Sequence, residues 1–352
     1  RNQAKSAWLA FSPRMPYLPA MTNELATARR FSVAPMMDWT DRHCRVLHRL
    51  LTSHALLFTE MVTSAAVVHG PRERLLGFDQ VEQPVALQLG GSDPRELAEA
   101  TRIATGFGYR EINLNVGCPS DRVQSGRFGA CLMAEPELVA ECVRAMRDAT
   151  DLPVTVKCRI GIDDQDTEES LDRFADAMVG AGVDALYVHA RKAWLKGLSP
   201  KENREIPPLD YPRVHRLAER LRPLPVMING GIKTIKDAEA HMAHMSGVML
   251  GRVAYHEPML LTLVDERFFG APKKTVELRD VMLAMADYAE REIGKGARLN
   301  NITRHMLGLA NARAGARTFR QILSVDAARK GAGPEVIMRA FDALEPELQL
   351  AV

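Results

Sequence analysis

The chain has 352 residues, 46% hydrophobic and 26% charged, which excludes a disordered or fibrous protein and allows a sizeable core without covalent staples. Lys and Arg number 46 against 44 Asp and Glu, a net charge of +2, so any polyanion must be recognised by a local patch. Five cysteines with no C-x-x-C pair argue against a disulfide scaffold, a zinc ribbon or an iron–sulfur cluster; reduced thiols, a cytoplasmic setting and no metal are expected.

Residues 1–30 read as an N-terminal segment, either an extended start or a leader. The opening RNQAKSAWLAFSPRMPYLPAM is basic, but its apolar stretch is too short for a signal-peptide core, and no apolar run in the chain reaches membrane-spanning length. From residue 31 one unit recurs: a short β-branched or apolar run, a polar or Gly-rich turn, then an amphipathic helical stretch. The runs are FSVAPMM (31–37), LLFTEMV (56–62), PVALQLGG (84–91), EINLNVGCP (111–119), PVTVKCRIG (153–161), ALYVHAR (185–191), PVMINGGI (225–232) and GVMLGRV (247–253). Helical stretches such as PRELAEATRIATGFG and PELVAECVRAMRDAT lie between them. Eight βα units predict a (β/α)8 TIM barrel over 31–270, preferred to a doubly wound open sheet because the count is eight. After an APKK linker the strand signals stop. VELRDVMLAMADYAEREIG, NITRHMLGLANARAGARTFRQILS and PEVIMRAFDALEPELQ predict a small all-helical domain over 271–352.

The C-terminal strand ends of such a barrel form its active face. Here they carry Asp38, Glu60, Gln88, Asn115 with Cys118, Lys157 with Arg159, His189, Asn229 and Arg252. Asn229-Gly230-Gly231 and Gly251-Arg252 close the seventh and eighth strands, where barrels often build a phosphate site from open backbone amides. No Rossmann or P-loop glycine pattern occurs. Lys157 fits either a Schiff-base nucleophile or a fixed cation beside a reduced flavin. His189 fits a ligand to a phosphate or a ring carbonyl. Cys118, between Gly117 and Pro119, sits in a turn at the mouth, whereas Cys44, Cys142 and Cys158 read as buried hydrophobes and Cys131 is ambiguous. The intervening GRFGA resembles a mobile lid.

Residues 291–330 hold nine Lys/Arg and two Asp/Glu, a local charge of +7, with Arg313, Arg317 and Arg320 spaced to share one helical face. The loop ARKAWLKGLSPKENR adds Arg191, Lys192, Lys196, Lys201 and Arg204 around Trp194. Basic stretches with few acids and an interleaved aromatic point to RNA.

APMMDWTDRHCR, TEMVTSAAV, QLGG, INLNVGCPSDRVQSGRFGACLM, VKCRIGID, VHARKAWLKGLSPKENREIPPLDY, INGGI and MLGR together resemble the tRNA-dihydrouridine synthases, A subfamily, over residues 31 to about 340. The resemblance implies reduction of the 5,6 double bond of uridine 20 or 20a in the tRNA D-loop, with FMN as cofactor and NADPH as reductant; without a separate dinucleotide-binding pattern, a ping-pong order is expected. It implies FMN contacts at Met36, Met37, Asp38, Gln88, Lys157, His189, Asn229, Gly230, Gly231, Gly251 and Arg252. Hydride would pass from reduced FMN to C6, and a proton from Cys118 to C5. Asn115 would orient the uracil, and Lys201, Arg204, Arg317 and Arg320 would contact the tRNA. A monomer is expected. Two other readings are a barrel flavoenzyme acting on a free small molecule, and an RNA-binding protein with a degenerate barrel; the basic helical tail weighs against the first, the intact Cys118, Lys157 and His189 against the second.

Overall fold

The structure is a computed structural model that describes residues 19–120, 123 and 126–344; residues 1–18 of the expected N-terminal segment and the end of the last expected helix lie outside that description. Eight strands form in chain order, each at its expected run, with β2 one residue longer: β1 (Phe31–Val33), β2 (Leu56–Thr63), β3 (Val85–Gly90), β4 (Glu111–Val116), β5 (Val154–Arg159), β6 (Ala185–His189), β7 (Val226–Asn229) and β8 (Gly247–Leu250). Every neighbouring pair is parallel and β1 closes on β8, giving a barrel without edges. The fold is thus the expected (β/α)8 TIM barrel, followed by helices.

Before the barrel lies α1 (Pro19–Ala28); the next helices introduced are α2 (Arg42–Leu51), α3 (Ser64–His69), α4 (Pro94–Thr105) and α5 (Pro136–Asp148). In α4, Asp93 caps the N-terminus by accepting from Glu96 N–H, and Pro94 occupies the first turn, where no N–H is needed. Leu97, Ala100, Thr101 and Ala104 then bury one face against the barrel. In α5 Val139, Ala140, Val143 and Met146 do the same.

Side chains alternate along each strand, and the alternation divides the core. Ile112, Leu114, Val116, Val154, Val156, Leu186, Val188, Val226 and Ile228 pack beneath the helices. Leu56, Phe58, Ala86, Ala185, Tyr187, Met227 and Met249 form a separate apolar cluster, joined by Leu25 and Ala28 of α1. Helix α1 is therefore built into the barrel: Leu25 and Ala28 join this inner layer, Arg29 pairs with Glu111 on β4, and Arg30 donates to the Phe268 carbonyl.

Between the later strands lie α6 (Thr167–Gly180), α7 (Tyr211–Arg220) and α8 (Ile235–His241); after β8 come α9 (Arg252–His256) and α10 (Val264–Phe269), then an irregular stretch over 270–277, which contains the APKK linker. The C-terminal region holds α11 (Leu278–Gly294), α12 (Leu299–Thr303), α13 (Ala316–Val325) and α14 (Glu335–Asp342). The expected continuous helix over 301–324 is a correction: it breaks between α12 and α13. Ala312 and Gly315 take positive φ (62° and 78°), and a Cβ at Gly315 would lie 2.2 Å from the Ala343 carbonyl oxygen. Arg313 consequently lies ahead of α13, and only Arg317 and Arg320 share that helix.

The helical region docks on the first and eighth βα loops. Asp41 caps α2 and also accepts from Arg304 (2.6 Å) and bonds His305 (3.0 Å). Trp39 stacks on Tyr255 at 4.6 Å between centroids, and Asn311 donates to the His256 carbonyl at 2.7 Å. These contacts lie on the loops after β1 and β8, so they set the helices beside the barrel mouth.

Candidate active site

The same alternation that sends apolar side chains outward sends a polar row inward, and strand register fixes its order. Gln88 lies beside Asn113, Asn115 beside Lys157, Arg159 beside His189, His189 beside Asn229, and Asn229 beside Met249. Seven expected site residues, Gln88, Asn115, Lys157, His189, Asn229, Gly230 and Gly231, thus share one end of the barrel.

The turn after β7 makes a cup. Gly230 and Gly231 take φ of 112° and 69°, and a Cβ on Gly230 would fall 2.3 Å from the His189 ring, one on Gly231 2.5 Å from Leu209. Only glycine fits either position. Tyr211 at the start of α7 donates its hydroxyl to the Gly230 carbonyl (2.6 Å), and Asn229 donates to the Met249 carbonyl (2.7 Å), so the cup is rigid. Gly251 differs: its φ is −110°, and a Cβ there would make ordinary contact, 3.7 Å from Met36 Sδ. Arg252 reaches back to the basic loop, pairing with Glu205 and donating to the Arg204 carbonyl at 3.3 Å. Arg191, nine-tenths buried, gives one guanidinium N–H to the Pro207 carbonyl and leaves its Nε without a partner.

Positive charge dominates this end. Among the described residues, Lys157 and Arg159 have no carboxylate within ion-pair distance. Burial, reinforced by Arg159, pushes the Lys157 ammonium down to about 8. Burial also lowers the Arg159 guanidinium to about 10, partly offset by Cys118. His189 is pushed well below its ordinary value by burial and then by Arg159 and Lys157, so its imidazole is neutral at neutral pH. Glu60 is raised, first by burial, while it accepts from the Asp38 amide. Asp38 itself holds a positive φ of 64°, Met36 is half-buried and Met37 is 52% exposed, which places an adaptable apolar lip beside the cup.

Cys118 is half-buried at the mouth, whereas Cys44, Cys142 and Cys158 are buried, as expected, and Cys131 is also half-buried. The turn that holds Cys118 is fixed from three sides. Asn115 Oδ1 accepts from the Gly117 and Cys118 amides (3.1 and 3.0 Å). The Cys118 carbonyl accepts from Ala130 N–H (2.9 Å). Arg159 donates to the Gly117 carbonyl (3.0 Å) and also to those of Lys192 (3.0 Å) and Asn203 (2.9 Å), tying the turn to the basic loop. Gly129 (φ 77°) packs so close that a Cβ would meet the Cys118 carbonyl oxygen at 2.6 Å. The GRFGA segment expected as a lid is thereby fastened to the turn at its C-terminal end; Asp121, Arg122, Gln124 and Ser125 before it lie outside the described residues.

Lys201 and Arg204 are exposed on the basic loop, and Arg317 and Arg320 on α13. Arg320 bonds Asn311 at 3.4 Å, which in turn holds His256 after β8, so the second pair sits on a separate element linked to the rim of the same face. Sequence reasoning passed over Glu111, Asn113, Thr155 and Tyr211. The first two carry a legible signal: in Glu-Ile-Asn-Leu-Asn a buried strand is apolar on its outer side and polar at every inner position.

Comparison with known proteins gives the family. A family model for dihydrouridine synthase matches residues 32–345. The chain belongs to the dihydrouridine synthase family. It is 55% identical over 325 residues to the tRNA-dihydrouridine(20/20a) synthase of Xanthomonas axonopodis pv. citri, covering 92% of this chain and 97% of that protein. Proteins of the same name from Vibrio vulnificus (52% over 322 residues, 91% and 98% covered) and Escherichia coli O6:H1 (54% over 325 residues, 92% and 98%) are similar to it. Among solved structures, an old yellow enzyme homologue from Zymomonas mobilis aligns with a TM-score of 0.50 at 12% identity, covering 72% of this chain and 92% of that one. A 2-naphthoyl-CoA reductase aligns at 0.52 and 11%, covering 72% and 55%. At such identities these two speak for the barrel fold alone.

Proposed function

We propose that the chain is a tRNA-dihydrouridine(20/20a) synthase, reducing the 5,6 double bond of a D-loop uridine with FMN as cofactor and NADPH as electron source. The observation that carries this reading is a half-exposed thiol, Cys118, locked at a barrel mouth that also holds a glycine cup and buried cations without acids. The names of relatives more than half identical over nine-tenths of the chain support the substrate.

The residues present fit FMN. The Gly230–Gly231 turn presents bare backbone at positive φ, where no side chain is tolerated, and the buried Arg191 has an N–H still seeking an acceptor. Asn229, Gly251 and Arg252 complete the phosphate end; Met36, Met37, Asp38, Gln88, Lys157 and His189 border the ring and ribityl chain. FMN, when bound, supplies the hydride for C6 of the uracil. Lys157, a half-buried cation, stabilises negative charge on the ring, where reduced access of water makes it stronger than in solution. Neutral His189 offers a hydrogen bond rather than a charge. Asn115 spends one amide hydrogen on Gln88 and keeps the other for a uracil carbonyl. Cys118 gives the proton to C5: a cysteine thiol carries its proton for the most part at neutral pH and returns to that state from solvent.

A D-loop uridine must leave its stack to enter, at a cost of roughly a few kcal/mol. Contacts of Lys201, Arg204, Arg317 and Arg320 to tRNA phosphates offset that cost. The helical domain of residues 271–352 thus serves as the tRNA platform of a monomeric enzyme whose catalytic barrel spans 31–270. With no dinucleotide fold in the sequence, NADPH visits the flavin face before the RNA does, a ping-pong order. A small-molecule reductase has no use for the platform.

Purified protein is expected to be yellow. Cys118→Ala is expected to keep its FMN and lose dihydrouridine formation by about 10³-fold or more, read by mass spectrometry of tRNA from a deletion strain. A colourless protein that FMN cannot reconstitute, or a Cys118→Ala variant that still reduces tRNA, overturns the reading.

A further inference from the structure

Inside the barrel, beneath the site, runs an unbroken chain of buried hydrogen bonds that ends on the Cys118 turn. It starts at the buried Arg29–Glu111 ion pair (2.7 Å). Thr155 donates its hydroxyl to Glu111 Oε1 (2.5 Å) and accepts from Asn113 Nδ2 (2.8 Å). Asn113 Oδ1 accepts from Gln88 Nε2 (2.8 Å), and Gln88 Oε1 accepts from Asn115 Nδ2 (2.7 Å). Asn115 Oδ1 then accepts from the amides of Gly117 and Cys118. Glu111, Asn113 and Thr155 have no exposed surface, and Gln88 has 1%.

Both ends impose the same polarity. An ionised carboxylate only accepts, so the Thr155 hydroxyl must point down and receive from above. Each amide in turn must present its NH2 below and its oxygen above. At the top, backbone N–H groups only donate, and they demand the oxygen of Asn115. Three side-chain amides that could each flip are therefore held in one orientation. Arg29 is the anchor's buried partner: burial opposes its guanidinium, but the Glu111 carboxylate outweighs that and holds it above its ordinary value.

We propose that Glu111, Thr155 and Asn113 are positioning residues, which act through Gln88 and Asn115 to fix the Cys118 turn and the free Asn115 N–H over the substrate. The inference rests on the reading of Cys118 as the proton donor. None of the three touches substrate or cofactor; they act only through Gln88 and Asn115.

The test uses the full FMN-loaded protein with Thr155→Val, which keeps shape and removes the hydroxyl, and Thr155→Ser, which restores it. Enzyme reduced with dithionite is mixed with unmodified tRNA, and the return of flavin absorbance is followed. Thr155→Val is expected to slow reoxidation by about tenfold at saturating tRNA with KM unchanged, the loss of one buried hydrogen bond made to count in the transition state. Site-resolved alkylation of Cys118 by iodoacetamide in the same FMN-loaded protein is expected to change severalfold, and Thr155→Ser to restore both. If Thr155→Val does not fold, Glu111→Gln, which removes the charged anchor, is put through the same measurements. Wild-type reoxidation and alkylation in these variants, or a loss confined to KM or FMN content, overturns the proposal. Cys118→Ala run alongside separates the two claims: an active Cys118→Ala removes the acid itself, while an inactive one with a fast Thr155→Val removes only the chain beneath it.

Discussion

The barrel mouth and the helical platform both gather positive charge, but they place it in opposite surroundings. At the mouth Lys157, Arg159 and Arg191 lie in the protein, their hydrogen bonds going to backbone carbonyls rather than carboxylates where they are made. On α13 Arg317 and Arg320 stand in water. A buried charge acts over short range in low dielectric and is little screened; an exposed one acts at a distance and fades with salt. The first suits the recognition of one cofactor, the second the steering of a large polyanion.

Substitution at the mouth has the larger expected effect. Gly230→Ala forces a methyl group to within 2.3 Å of the His189 ring on a residue whose φ is 112°. Steric and backbone strain together are worth roughly 3 kcal/mol, so FMN affinity is expected to fall about 100-fold, measured by flavin fluorescence titration. Gly197→Ala supplies the control, because Gly197 also has positive φ (82°) but open space around it. It should lower stability slightly and leave FMN binding intact. Equal FMN losses in both variants would show that the cup is merely strained, not fitted.

On the platform, Arg317→Ala and Arg320→Ala are each expected to raise the KM for tRNA about fivefold near physiological salt, with kcat unchanged. The slope of log affinity against log salt should fall by about 1 for each. The Lys157→Met substitution at the mouth should lower kcat with the salt slope unchanged. A salt slope that moves with Lys157 rather than with Arg317 inverts the division of labour.

How much of this was legible in sequence follows the same divide. The eight strands and the polar residues at their ends were readable, because a buried parallel strand is a short apolar run with an abrupt polar end, and all eight runs say so. Gly230 and Gly231 were readable as a turn, but the reason for Gly230 lies in His189, forty-one residues earlier, which only strand register brings alongside. The Arg313, Arg317 and Arg320 stripe is only partly real, since helical spacing runs from Arg313 through Gly315, whose positive φ precedes the start of α13. Arg29 was set aside with the leader, because nothing near it in sequence shows that its partner is Glu111, eighty-two residues away. Glu111 and Asn113 were overlooked although their spacing was visible, since only attention to both faces of one strand separates a polar inner row from a chance charge.

The smallest effect concerns a single proton, and it sharpens the comparison most. In the protein alone Lys157 is held down at about 8 by burial and by Arg159, against an ordinary value of 10.5. Between these values the folded lysine is neutral while an unfolded one is charged, so stability from this group rises with pH over that window. An anionic cofactor beside Lys157 favours the charged form and moves its value back up. Binding of FMN near pH 9 is therefore expected to take up close to one proton, and near pH 6.5 none at this lysine, because it is already charged there. Calorimetric titration in buffers of differing ionisation heat measures that number directly, and Lys157→Met should abolish the uptake while Arg317→Ala leaves it unchanged. Uptake that survives Lys157→Met would assign the proton to another group and detach this lysine from the cofactor.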